Sequence, residues 1–158
     1  MGQSFGGYSV FALLSQTDRF RAGVAVSGLS DMASNYGTFD PSARGYPGIE
    51  HERSDNWAEM DQFGMTSTPW ADPAAYARVS PLTYVDKVNT PLLIVHGDFD
   101  IRGAPSQSER FFYALYQQGK TARLVRYGGE SHGLEQSPAN MRDIFARMVN
   151  WFDTYVRK

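Results

Sequence analysis

The chain has 158 residues, of which 42% are hydrophobic and 20% charged, values ordinary for one soluble globular domain able to bury a core. A net charge of −2 without a basic stripe argues against nucleic acid or an anionic membrane as partner, and the absence of cysteine excludes disulfides, thiolate metal sites and a cysteine nucleophile. No stretch approaches the roughly 18 apolar residues of a membrane span and none has the pattern of a secretory leader. The compartment is therefore left open, with the cytoplasm favoured and the periplasm or secretion open should a leader lie upstream.

The first eight residues contain Gly2-Gln3-Ser4-Phe5-Gly6, the Gly-x-Ser-x-Gly pattern of a nucleophile elbow, which sets a serine on a sharp turn between a strand and a helix. Side chains at Gly2 and Gly6 are expected to collide with neighbouring backbone in such a turn. The helix it feeds is expected to bury a stripe of Tyr8, Val10, Phe11, Leu13 and Leu14. Arg21 to Ser27 follows as a short, β-branched run, a strand buried on both faces in a parallel sheet. From Leu29 to about Gly64 the periodicity breaks down into turn chemistry, with a short helix expected behind a Ser54 cap that turns Trp57, Met60 and Phe63 inward.

Asp72 then reads as an N-cap with Pro73 at the first helical position, opening a helix to about Arg78 that Ser80-Pro81 stops. Pro91 to His96 is the second strand and Gly97-Asp98-Phe99-Asp100 the loop at its carboxyl end. A helix from about Pro105 to Gln118, apolar at Phe111, Phe112, Leu115 and Tyr116, ends at Gly119. Ala122 to Tyr127 is the third strand and residues 128–133 the loop after it. The last helix has Ser137 as cap, Pro138 as its first residue, and an apolar stripe of Met141, Ile144, Phe145, Met148, Val149, Phe152 and Tyr155. Strands alternating with helices specify an α/β fold of about three parallel strands with flanking helices.

Chemistry in open parallel sheets gathers at the carboxyl ends of the strands. Ser4, Asp100 and His132 all fall there, in the chain order Ser, Asp, His of the α/β-hydrolase triad. A serine hydroxyl is a weak nucleophile, so His132 would take its proton and return it to the leaving group, while Asp100 would hold the imidazole tautomer and stabilise the imidazolium. Asp98 is the neighbouring alternative to Asp100. His96 reads as structural, packed at a strand end. His51, among Glu50, Glu52 and Arg53, reads as part of a solvated face, since no second and third ligand stand at metal-binding spacing. Tyr36, Phe39, Tyr46, Trp57 and Trp70 are either local core or the lining of a pocket, with Trp57 and Trp70 taken as the candidate pocket residues.

These residues sit in a longer pattern that resembles the prolyl oligopeptidase family of serine peptidases, in the carboxyl-terminal part of its catalytic domain. The matching pieces are residues 2–8, Ser80-Pro81-Leu82, residues 90–100, Gln107-Ser108-Glu109 with Gln118-Gly119-Lys120, residues 127–133, and Trp151-Phe152. The resemblance covers most of the chain outside residues 30 to 65 and implies an α/β-hydrolase fold whose amino-terminal strands lie outside this sequence. It points to the last aspartate of the His-Gly-x-x-Asp element, hence Asp100, and leaves the backbone N–H of Phe5 as the oxyanion donor within the chain. The implied activity is acyl transfer from short peptides to Ser4 and then to water, with no cofactor and no metal. A carboxylesterase with the same triad, and a catalytically silent fragment or assembly module, are the alternatives. The expected partners are a peptide or acyl substrate, neither nucleic acid nor membrane, and either the missing half of the domain or a second copy docked on an exposed sheet edge.

Overall fold

A computed structural model describes residues 1–36, 38 and 63–157. The expected helix behind Ser54, the candidate pocket residue Trp57, and His51, Phe39 and Tyr46 lie outside the described residues. Among the described residues four strands, rather than about three, form one parallel sheet in the order β1 (Gly2–Gln3), β2 (Gly23–Val26), β3 (Leu92–Gly97) and β4 (Ala122–Tyr127). β1 is a two-residue stub of the elbow, too short for any sequence periodicity to reveal. The helices among the described residues are α1 (Phe5–Leu14), α2 (Met32–Asn35), α3 (Pro73–Val79), a 3-10 stretch over Pro81–Lys87, α4 (Ser106–Gln117) and α5 (Pro138–Val156).

Every residue of β2 and β3 is buried, and the alternation of a strand divides them between two cores. Ala25, Leu92 and Ile94 meet Phe11 and Leu14 of α1, Phe111 and Leu115 of α4, and Val85 of the 3-10 stretch. Val24, Val26, Leu93 and Val95 meet Ile144, Met148 and Trp151 of α5 on the opposite face. The sheet is therefore covered on both sides. A smaller cluster of Leu29, Met32, Met65 and Tyr76 sits beyond them.

The expected caps are present: Asp72 Oδ1 accepts from Ala75 N at 2.9 Å, Ser137 Oγ accepts from Asn140 N at 3.4 Å, and Gly119 ends its helix at φ +66°. The helix stripes are narrower than their periodicity implies. Leu13 of α1, Tyr116 of α4, and Met141, Phe145 and Val149 of α5 are all exposed, because a helix lying on a sheet offers it only a limited arc. α2, inside the stretch read as turns, is opened by Asp31, whose carboxylate accepts from Ser34 N. Four residues are too few to carry a helical period.

Candidate active site

Ser4 lies between β1 and α1, at φ 57° and ψ −120°. A non-glycine residue reaches such dihedrals only when its surroundings impose them. Here Ser4 N donates to Val26 O at 2.9 Å and Tyr8 N donates to Ser4 O at 3.0 Å, tying the turn to β2 on one side and to the helix on the other. A Cβ on Gly2 would lie 2.3 Å from Gly6 O, so the turn closes only around a glycine there. The expected collision at Gly6 does not occur: a Cβ there meets nothing within 4 Å. The crowded glycine is Gly7, against Gly28, since α1 packs directly across the end of β2.

His132 sits in the loop after β4. Its Nδ1 is 2.8 Å from Asp100 Oδ2 and its Nε2 2.8 Å from Ser4 Oγ. The carboxylate accepts only, so Nδ1 carries the hydrogen and Nε2 is the free base facing the serine hydroxyl. The structure thus brings Ser4, Asp100 and His132 into one hydrogen-bonded line. Asp98 is placed elsewhere, with Arg126 Nε 2.7 Å from its Oδ1.

Asp100 has a fully buried side chain, and its carboxylate is nonetheless held well below the usual range. Burial alone would raise its pKa, but hydrogen bonds from His132, His96 and Gly103 outweigh that. Its Oδ1 accepts from Arg102 N and Gly103 N, each at 2.9 Å. His96 is buried at the end of β3 as expected, but it also reaches Asp100, with Nε2 3.0 Å from Oδ2. Nothing in the sequence beyond its place four residues before Asp100 signals that contact.

Residues outside the expected site hold the histidine loop. His132 O accepts from Gln3 Nε2 and from Ser27 Oγ, both at 3.1 Å, so the ends of β1 and β2 fix its backbone. Fully buried Glu130 accepts from Gln136 N and Ser137 N at 2.9 Å and from Asn140 Nδ2 at 2.8 Å, joining the loop to the start of α5. A Cβ on Gly97 would come 2.5 Å from Glu130 O, which is why β3 ends in glycine. Phe5 opens α1, where the first backbone N–H groups of a helix have no intrahelical acceptor. The Phe5 ring meets Tyr8 and Phe63, each at a centroid distance of 5.3 Å. Trp70 is exposed and stands edge-on to Tyr36. Among the described residues no group of three or more His, Asp or Glu side chains is arranged to hold a metal ion.

The uncharacterized peptidase YuxL of Bacillus subtilis is 33% identical over 157 residues, covering 98% of this chain and 22% of that protein. Dipeptidyl-peptidase 5 of Porphyromonas gingivalis is 30% identical over 159 residues, covering 100% of this chain and 21% of that one. The acylaminoacyl peptidase of Pyrococcus horikoshii superposes with a TM-score of 0.82 at 25% identity over 99% of this chain and 24% of its own. The chain spans roughly a fifth to a quarter of the length of these proteins. The profile of the prolyl oligopeptidase family matches residues 1–158, and the chain belongs to that family.

Proposed function

We propose that this chain carries the acyl-transfer centre of a serine peptidase acting on short peptides, as the carboxyl-terminal part of an α/β-hydrolase catalytic domain. The observation that carries the reading is the unbroken line from Asp100 Oδ2 through His132 to Ser4 Oγ, at 2.8 Å on each side of the imidazole. The names of the relatives, a dipeptidyl-peptidase and an acylaminoacyl peptidase, support a peptide bond as the substrate.

In this reading Ser4 Oγ bonds to the scissile carbonyl carbon as its proton passes to His132 Nε2. The carbonyl oxygen takes the negative charge opposite the Phe5 N–H, and Asp100 stabilises the imidazolium. Collapse of the intermediate breaks the C–N bond, and the His132 proton leaves on the amine. Water then gives its proton to His132 and its oxygen to the acyl carbon, releasing the acid and restoring Ser4. Trp57 and Trp70 are the candidate pocket residues; Trp70→Ala should raise KM and leave kcat unchanged.

Intact-mass spectrometry after treatment with a fluorophosphonate probe tests the reading. One adduct on the chain, lost in both Ser4→Ala and His132→Ala, is expected. A folded chain that takes no adduct, or takes it equally in Ser4→Ala, overturns it. Peptide anilides turned over in preference to simple aryl esters would then separate peptidase from esterase.

A further inference from the structure

Asp100 is contacted by two imidazoles, and the mechanism uses only one. His96 Nε2 faces two acceptors, Gly103 O at 2.8 Å and Asp100 Oδ2 at 3.0 Å, so it carries the hydrogen. His96 Nδ1 lies 2.6 Å from the hydroxyl of Ser108 on the first turn of α4, which donates to it. Both His96 and Ser108 are fully buried, and neither can exchange this partner for water. Oδ2 of Asp100 thus accepts from His132 and shares the single Nε2–H of His96 with Gly103 O, while Oδ1 accepts from Arg102 N and Gly103 N.

We propose that His96 is a positioning residue for the acyl-transfer centre: donating to the oxygen that Asp100 shares with His132, it fixes the plane of the carboxylate and moderates its pull on the His132 proton. Ser108 acts one step further out, by holding His96 in the tautomer that donates. The inference rests on the peptidase reading for its catalytic meaning. A histidine that only anchored the loop would need the bond to Gly103 O and nothing more; the reach to Oδ2 couples it to the base. The ionisable side chains hydrogen-bonded to Asp100 are His96 and His132. On the two loops, Asp98 is paired with Arg126 and Glu130 with the start of α5, and the backbone of Arg102 faces Oδ1.

The test is the titration of the His132 ring, followed by NMR in the 158-residue chain labelled with nitrogen-15 at histidine, in wild type and in His96→Leu, His96→Gln and Ser108→Ala. Without the His96 donor, Asp100 is less satisfied and attracts the His132 proton more strongly, so in His96→Leu the His132 midpoint should move up by about half a pH unit. Gln, whose amide nitrogen can reach the place of Nε2, should return it toward wild type. Ser108→Ala should move it the same way by less. Unchanged midpoints in folded His96→Leu and Ser108→Ala overturn the proposal; if His96→Leu does not fold, an unchanged Ser108→Ala does so alone. Fluorophosphonate labelling is a separate readout, so a failure of the peptidase reading and a failure of this coupling are told apart.

Discussion

The backbones of Gly7 and Gly28 meet face to face. A methyl group on Gly7 would lie 2.8 Å from Gly28 Cα, and one on Gly28 would lie 2.8 Å from the carbonyl carbon of Gly7. This contact presses the elbow helix onto the end of β2, and so sets the height of Ser4 above the sheet.

Alanine at Gly7 or Gly28 must push the helix away, because the obstacle is backbone that cannot rotate aside. Each substitution should cost about 1–3 kcal/mol in urea unfolding and lower the rate of fluorophosphonate labelling. Gly6→Ala has open space and should leave stability unchanged or slightly higher. Equal losses at all three positions would contradict the packing described.

Asp100 predicts a pH dependence of stability. Its folded pKa is depressed, so the stabilisation is present in full above the ordinary carboxylate range and is lost as pH falls, because the unfolded chain takes up the proton first. Unfolding free energy should decline on acidification from about pH 5 to about pH 3, and more shallowly in Asp100→Asn.

The same variant should lose activity for a reason the geometry specifies. Two backbone N–H groups point at Oδ1, so the amide oxygen of Asn must turn to them and its NH2 must face His132. The ring then has to accept at Nδ1, which puts its hydrogen on Nε2, where it can no longer take the Ser4 proton. kcat/KM for a peptide anilide should fall by about 10³–10⁴-fold with the fold retained by circular dichroism.

Glu130→Gln turns an NH2 toward one of the donors that now meet Glu130: Gln136 N, Ser137 N or Asn140 Nδ2. A buried donor left without an acceptor is costly. The expected outcome is a lower melting temperature, measured by calorimetry, together with slower labelling of Ser4, since this loop carries His132.

Ser27→Ala combined with Gln3→Ala frees the carbonyl of His132 from both of its donors. Neither side chain reaches the reacting atoms, so the effect should be a fall in kcat of about tenfold with little change in melting temperature. A double variant as fast as wild type would show that the loop is held by Glu130 alone.

What the chain determined by itself is local. The order of strands and helices, the caps at Asp72 and Ser137, and the identities of Ser4, Asp100 and His132 were legible because each depends on a short run of residues: a period, a cap followed by proline, a glycine-flanked serine. Which face of a helix is buried was legible only in part. Phe145 and Val149 have the same apolar spacing as Ile144 and Met148, and only contact with the sheet tells them apart.

The tertiary structure decided everything that rests on distance between segments remote in sequence. The resemblance pointed to Asp100 rather than Asp98, but the physical reason lies in the fold, which turns the one carboxylate toward an imidazole in a loop about 30 residues away and gives the other an arginine. The bond from His96 to Asp100, the support of the His132 carbonyl by Gln3 and Ser27, and the Gly7–Gly28 contact all join different strands and loops. A parallel sheet aligns the ends of strands that the chain separates by long crossovers, and hydrogen bonding there depends on tenths of an ångström that residue types alone do not encode.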